Sequence, residues 1–203
     1  MAIQLYGQVQ SRALRSMWCL EEVGVEWELV KTSFMGDTKE PDYLALNPNA
    51  RIPTLVDGDL VLWESMAINL YLAKKYGGDL WPASESDQAL ATQWSFWGIT
   101  EIEPHVMALL IHRMMLPEDK RNTQLADDAE RDVHRPLKVL EAHLDGREHL
   151  LGGEFGIADL NVASVLSMAG LVGLDLSGYP KVQEWLNRCT GRPSMGKAQA
   201  AGA

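Results

Sequence analysis

The order of apolar and polar positions divides the chain into two regions of different period. Within the first 76 residues, IQLY reads as a short strand, Ser11 to Val23 as an amphipathic helix and WELVKT as a second strand. The stretch GDTKEPDYLALNPN carries turn residues and one helical turn from Pro41 to Leu46. Two further apolar runs, Ile52 to Val56 and Leu60 to Trp63, flank Asp57-Gly58, a dipeptide that favours a tight hairpin because both positions tolerate positive φ. A helical pattern follows from about Ser65 to Tyr76. Past the acidic, turn-rich GGDLWPASESDQ no strand pattern occurs, and apolar residues recur at helical spacing over 88–115, 124–145, 158–173 and 180–190.

A crossover helix between the first two strands makes them parallel, whereas the hairpin is antiparallel. The expected sheet is therefore mixed and four-stranded, with the β-α-β then β-β-α order of a thioredoxin-like fold. The chain predicts an α/β N-terminal thioredoxin-like domain over 1–78, a boundary within 78–87, and an all-α C-terminal domain over 88–203. The tail GKAQAAGA, made mostly of small residues, is expected to fray.

Composition narrows the function. An apolar fraction of 46% is ample for a buried core. Eighteen basic against 28 acidic residues give a net charge of −10, without a Lys/Arg run to neutralise a phosphate backbone, so no nucleic acid is expected as partner. MAIQLYGQ has no basic, then apolar signal pattern, and no window reaches the ~18 uninterrupted apolar residues of a membrane span, so a cytoplasmic protein with no membrane partner is expected. Cys19 and Cys189 lack zinc-like spacing, and Cys19 sits in an apolar helical stripe as a small hydrophobe. His105 and His112 lie two turns apart without a third ligand, so no metal is expected.

Two places carry candidate chemistry. Pro53 opens a strand in which it cannot donate to the ladder; with a cis peptide bond it leaves Ile52 as a free edge, to which an extended peptide can add through its main chain. Glu64-Ser65 stands at a strand-to-helix junction, where Ser65 suits an N-cap, the first helical N–H groups attract a carboxylate and Glu64 attracts an ammonium. Together they suit an amino-acid head group.

The runs NPNARIPTLVDGDLVLWESMAINLYLAKKYG, SRALRSMWCLEEVGVEWE and GIADLNVAS resemble the cytosolic glutathione transferases, most nearly their bacterial members, over essentially the whole chain. The resemblance implies glutathione as co-substrate, extended along the edge before Pro53, with its cysteinyl part on the Ile52 main chain and its γ-glutamyl head on Glu64 and Ser65. Its glycine carboxylate is assigned to Thr38, Lys39 and Arg51. For the thiolate, Ser11 caps the first helix and donates its hydroxyl, Arg12 adds charge, and Tyr6 is the hydroxyl used in other classes. Counting back from Leu20-Glu21-Glu22, the serine of the serine-type classes falls at Gln10 and the cysteine of another bacterial class at Arg12. Ser11, Arg12, Tyr6 and main-chain N–H groups therefore stand as alternatives.

The resemblance also implies a pocket for a small hydrophobic electrophile, faced by Trp97, Glu101 and His105, and a helix-capping role for Asp159 with Gly156 in place of the usual Ser or Thr. The implied activity is conjugation of the glutathione thiolate to that electrophile, a detoxifying reaction, by a homodimer that brings Glu101 of the partner subunit near the head group. The alternatives are a glutathione-dependent disulfide reductase or peroxidase, and a non-catalytic binding or regulatory protein.

Overall fold

A computed structural model of the chain describes residues 2–201. The chain forms two compact units, one running up to Trp81 and regaining the chain from Gly191, the other spanning Pro82–Thr190. Among the described residues no helix is long and apolar enough to cross a membrane.

The first unit contains β1 (Ile3–Gly7), α1 (Ala13–Val23), β2 (Trp27–Lys31), α2 (Pro41–Leu46), β3 (Thr54–Asp57), β4 (Leu60–Trp63) and α3 (Ser65–Tyr76). The sheet order is β2-β1-β3-β4, with β1 parallel to β2 and the other two pairings antiparallel. This is the thioredoxin-like arrangement that the alternation of periods predicts. Leu5, Leu55 and Leu62 stand in register across β1, β3 and β4, and the opposite face carries Tyr6, Thr54 and Trp63 in the next row. Apolar α1 residues Met17, Trp18 and Leu20 are fully buried, and α1 closes on Gly24, whose φ of 70° lets its N–H reach Leu20 C=O.

The hairpin differs from expectation by one residue. Asp57 pairs with Leu60, so the loop residues are Gly58 and Asp59, with positive φ (62°) at Gly58 alone of the two, as in a type II′ turn. Asp57 is thereby left as a strand residue whose Oδ2 accepts from Tyr71 Oη at 2.7 Å, Tyr76 Oη at 2.7 Å and Lys75 Nζ at 2.8 Å, tying the hairpin to α3. Pro53 stands before β3 instead of inside it.

The second unit is all-helical. Ser84 caps α4 (Glu85–Trp97), which continues through a π-helical turn at Gly98–Ile102 into α5 (Glu103–Leu110) and a second π-helical turn at Ile111–Met115. Asn122 caps α6 (Thr123–His143), followed by α7 (Ile157–Leu166) and α8 (Pro180–Thr190). Every residue of α7 is buried, and the helix ends seven residues before the expected 173 because Ser167 to Gly173 turn, Gly173 taking a φ of 69°. Asp159 anchors its start: Oδ1 accepts from Leu150 N–H at 2.9 Å and Trp185 Nε1 at 2.7 Å, and Oδ2 from Gly156 N–H at 3.1 Å. The indole and the Leu150 N–H supply the support that Gly156, having no side chain, cannot return.

The all-α region expected over 88–203 ends at Thr190. The segment expected to fray contains most of α9 (Pro193–Ala200), which belongs to the first unit, with Met195 and Ala198 buried. Polar anchors reinforce that burial. Arg192 and Ser194 both donate to the Glu22 carboxylate, and Trp18 Nε1 donates to Ser194 Oγ at 3.1 Å. Small residues at the end of a chain look weakly structured only while their partner, here α1, is out of view.

Ser194→Ala removes both the hydroxyl that accepts from the Trp18 indole and its donation to Glu22, which costs roughly 1–3 kcal/mol. Urea unfolding should show a lower midpoint with unchanged slope. For Asp57, burial raises the carboxyl pKa, but the hydrogen bonds from Lys75, Tyr71 and Tyr76 outweigh it and the net direction is down from 3.8. A carboxyl held below its unfolded pKa stabilises the fold above that value and loses this contribution as pH falls through the folded one. Asp57→Asn should therefore lower the urea midpoint at pH 7, with the gap to the original protein closing below about pH 4.

Candidate functional site

Three stretches of the first unit meet at the open end of the hairpin. The Thr54–Trp63 pairing is the last of the β3–β4 ladder, so Ile52-Pro53 and Glu64-Ser65 leave it from the same end. The start of α1 is brought there by Gly7. A Cβ on Gly7 would lie 2.4 Å from Ala13 Cβ, inside any permitted contact, and 4.0 Å from Ile52 Cβ. Glycine at this position lets the end of β1 touch both the start of α1 and the residue before Pro53.

The Ile52–Pro53 peptide is cis. Among the described residues neither the N–H nor the C=O of Ile52 has a hydrogen-bond partner. The preceding carbonyl is held firmly instead: Arg51 C=O accepts from Tyr43 Oη at 2.6 Å and from Asn47 Nδ2 at 2.8 Å. Thr54 Oγ1 completes the ring, 2.8 Å from Tyr43 Oη and 3.1 Å from Asn47 Nδ2, and Asn47 Oδ1 receives Asn49 N–H at 3.0 Å. Tyr43, Asn47 and Thr54 are all buried. Burial raises the Tyr43 phenol pKa from its ordinary value, against the opposing hydrogen bonds of Thr54 and Asn47. Sequence reading passed over Tyr43 and Asn47; their one signal was the polar turn NPNA directly before Arg51, where Ala50 takes a φ of 52°.

At the other stretch the expected N-cap moves by one residue. Glu64 holds the cap position with φ 74° and makes no capping hydrogen bond, and Ser65 is the first residue of α3. The first helical bond runs from Ile68 N–H to Glu64 C=O, so the N–H groups of Ser65, Met66 and Ala67 precede any helical acceptor. The Ser65 hydroxyl has no partner among the described residues. A glutamate at positive φ is an uncommon conformation that the surrounding structure must sustain, a pattern that clusters at ligand sites.

The remaining candidates divide. Thr38 is only 1% exposed, its hydroxyl buried and without a hydrogen-bond partner among the described residues, whereas Lys39 and Arg51 are exposed. Ser11 does not cap α1: the N-cap position is Arg12, and the Ser11 hydroxyl donates to Gln8 C=O at 2.7 Å while accepting from Ala13 N–H at 3.1 Å. A hydroxyl has one proton to give, and here the loop takes it. The Ser11 main-chain N–H has no partner among the described residues. Tyr6 projects to the face of Thr54, its ring centroid 6.0 Å from that of Tyr43 and its hydroxyl 3.5 Å from Gln4 Oε1.

In the helical unit, Trp97 packs edge-on against Trp94 with centroids 4.9 Å apart, and Glu101, inside the π-helical turn, is ion-paired with Arg135. His105 lies close enough to Asp132 to help lower its carboxyl pKa, a shift caused first by the Arg131 hydrogen bond. His149, Asp159 and Cys189 offer donor atoms within 4.8 Å of one another, but both Asp159 oxygens are already engaged, Oδ1 by Leu150 N–H and Trp185 Nε1 and Oδ2 by Gly156 N–H.

Residues 1–74 match the family described as "Glutathione S-transferase, N-terminal domain" and residues 102–193 that described as "Glutathione S-transferase, C-terminal domain". Glutathione S-transferase 3 of Zea mays is 34% identical over 213 residues, covering 98% of this chain and 94% of the relative. Glutathione S-transferase GstB of Escherichia coli K12 is 30% identical over 200 residues, covering 96% of each. Among solved structures, the theta class glutathione S-transferase of Xanthomonas axonopodis pv. citri with glutathione bound superposes with a TM-score of 0.90 at 31% identity, covering 97% of this chain and 96% of that one.

Proposed function

The chain belongs to the glutathione S-transferase family, and from that premise we propose that glutathione lies extended at the open end of the hairpin. The protein is a glutathione transferase with glutathione as co-substrate. The observation that carries the placement is the coincidence of two unused polar edges: the Ile52 main chain, and the first N–H groups of α3 beside Glu64. The cysteinyl backbone adds to Ile52 as an extra strand, and the γ-glutamyl carboxylate meets the α3 N–H groups and the Ser65 hydroxyl while its ammonium pairs with Glu64. Lys39 and Arg51 take the glycine carboxylate, and Thr38 drops out of the contact set.

Conjugation needs the thiolate, and a free thiol of pKa near 8.5 is mostly protonated at neutral pH. We assign its stabilisation to the Ser11 main-chain N–H and the positive end of α1, with the Ser11 side chain shaping the loop. The thiolate attacks an electrophilic carbon; an S–C bond forms as the leaving group departs or the multiple bond opens, and the thiol proton has already passed to solvent. The acceptor is a small hydrophobic electrophile, with Trp97, Glu101 and His105 as its proposed contacts. Exposed Leu60, Val61 and Trp63 on β4, and Leu90 and Phe96 on α4, support a homodimer that covers them. A cytoplasmic place is part of the same proposal.

Ser65→Ala should weaken glutathione binding by roughly 1–3 kcal/mol, as for a bond to a charged group. Calorimetry checks this, and unchanged affinity would move the head group elsewhere. Ser11→Ala should leave the pKa of bound glutathione within about half a unit of the original complex, because the stabilising donor is main chain. Ultraviolet titration of the thiolate reads it; a rise of about one unit or more would return the role to the hydroxyl.

A further inference from the structure

The Arg51–Ile52 peptide is trans, since among the described residues the cis bond is the one after Ile52. In a planar trans peptide the C=O and N–H point in opposite directions, so whatever fixes one fixes the other. The Arg51 carbonyl is fixed inward by two side-chain donors, Tyr43 Oη at 2.6 Å and Asn47 Nδ2 at 2.8 Å, which occupy both its lone pairs. The N–H across that peptide, on Ile52, is the one without a partner. We infer that Tyr43 and Asn47 are positioning residues for glutathione, holding the Arg51 carbonyl inward so that the Ile52 N–H faces the ligand backbone.

The ring around that carbonyl is closed. The phenol gives its proton to Arg51 C=O, the amide gives one to the same oxygen and one to Thr54 Oγ1, and the threonine hydroxyl is left free to donate to the phenol oxygen. Every proton in the ring is committed to an acceptor, so the arrangement has one polarity. Both donors belong to one element: Tyr43 lies in α2, and Asn47 is the residue that ends it. Helix α2 thus sets the direction of a peptide eight residues on without touching the ligand. Preorganisation of this kind removes an ordering cost from binding. Since Tyr43 and Asn47 do not approach the sulfur in this assignment, their effect falls on glutathione affinity and not on the chemical step.

The inference rests on the placement of glutathione proposed above, and the test separates the two. Tyr43→Phe removes the phenol donor and Asn47→Leu the amide donor to the Arg51 carbonyl, each at nearly constant shape and without adding charge. In the full chain, amide NMR and calorimetric titration with glutathione should show the dissociation constant rising about three- to ten-fold in each, the range of one neutral hydrogen bond. The Ile52 amide signal should lose most of its response to glutathione, while the Ser65 and Met66 amides keep theirs. The turnover number at saturating glutathione should stay within about two-fold. Asp57→Asn, which loosens the far end of the same hairpin, should leave the glutathione affinity unchanged. If either folded variant binds glutathione normally with the Ile52 response intact, or if all three amides weaken together, the positioning role is wrong. If the Ile52 amide of the original protein ignores glutathione while binding still occurs, the placement itself fails.

Discussion

The direction of one peptide unit organises the open end of the hairpin. Burying a carbonyl is costly unless it is hydrogen-bonded, and Arg51 C=O is satisfied twice by buried side chains. That satisfaction leaves Ile52, the next residue, with its own main-chain groups outside the ladder and outside the ring. A sheet edge with unpaired main chain is ordinarily a liability, prone to pairing with other chains. Here it is limited to one residue, because Pro53 contributes no donor and β3 begins pairing at Thr54. A ligand with an extended main chain can use such an edge; a foreign strand finds too little of it.

The site also depends on close approach. With the end of β1 lying against Ala13 and Ile52, the loop entering α1 is brought to the same edge with the Ser11 N–H unpartnered among the described residues, and α3 offers its first N–H groups from the other strand of the hairpin. One loop, one helix start and one strand edge therefore offer main-chain donors at the open end of the hairpin. Side chains refine the result: Ser11 shapes one loop, Glu64 and Ser65 dress the other helix, and Lys39 and Arg51 add charge. A backbone-built site has a practical consequence for mutagenesis, since no single side-chain truncation removes its principal donors. The same logic explains why α9 returns to the first unit: its bonds to Glu22 and Trp18 brace the outer part of α1, whose other end is part of the site.

Much of this was legible in the sequence. Pro41 to Leu46, Leu60 to Trp63 and Ser65 to Tyr76 were placed at the bounds observed, because Pro, Gly and acidic turn residues punctuate them. Four features were not. The hairpin turn slipped by one residue because Asp-Gly fits a type I′ turn as readily as Gly-Asp fits II′, and only the pairing of Asp57 with Leu60 decides. Helix α9 was missed because small residues carry little apolar signal of their own and its anchors lie some 170 residues away in sequence. Ser11 was read for what a hydroxyl can do at a helix start, whereas the Gln8 carbonyl, three residues back, claims its proton. Tyr43 and Asn47 look like ordinary helix and turn residues until the carbonyl between them is seen.

Charge sets the last constraint. The chain carries −10 overall, and glutathione, with two carboxylates, one ammonium and a thiol that must ionise, is an anion becoming more so. The net charge itself offers no long-range attraction, and at physiological salt fields fade within about 8 Å in any case. In the proposed placement, contact-range stabilisation comes from Lys39 and Arg51 on one carboxylate and otherwise from uncharged main-chain donors: the N–H groups of Ser11, of Ile52 and of the start of α3. These are fixed partial charges in partly desolvated surroundings, where a hydrogen bond to an anion is worth roughly 1.5–3 kcal/mol, against about 1 for a neutral one. Because a thiolate gains more from such donors than a thiol does, the same arrangement that binds the tripeptide also favours its reactive form. In the proposed placement binding and activation are then two uses of one kind of donor: the main chain at Ile52 and Ser65 holds the tripeptide, and the Ser11 N–H favours its thiolate.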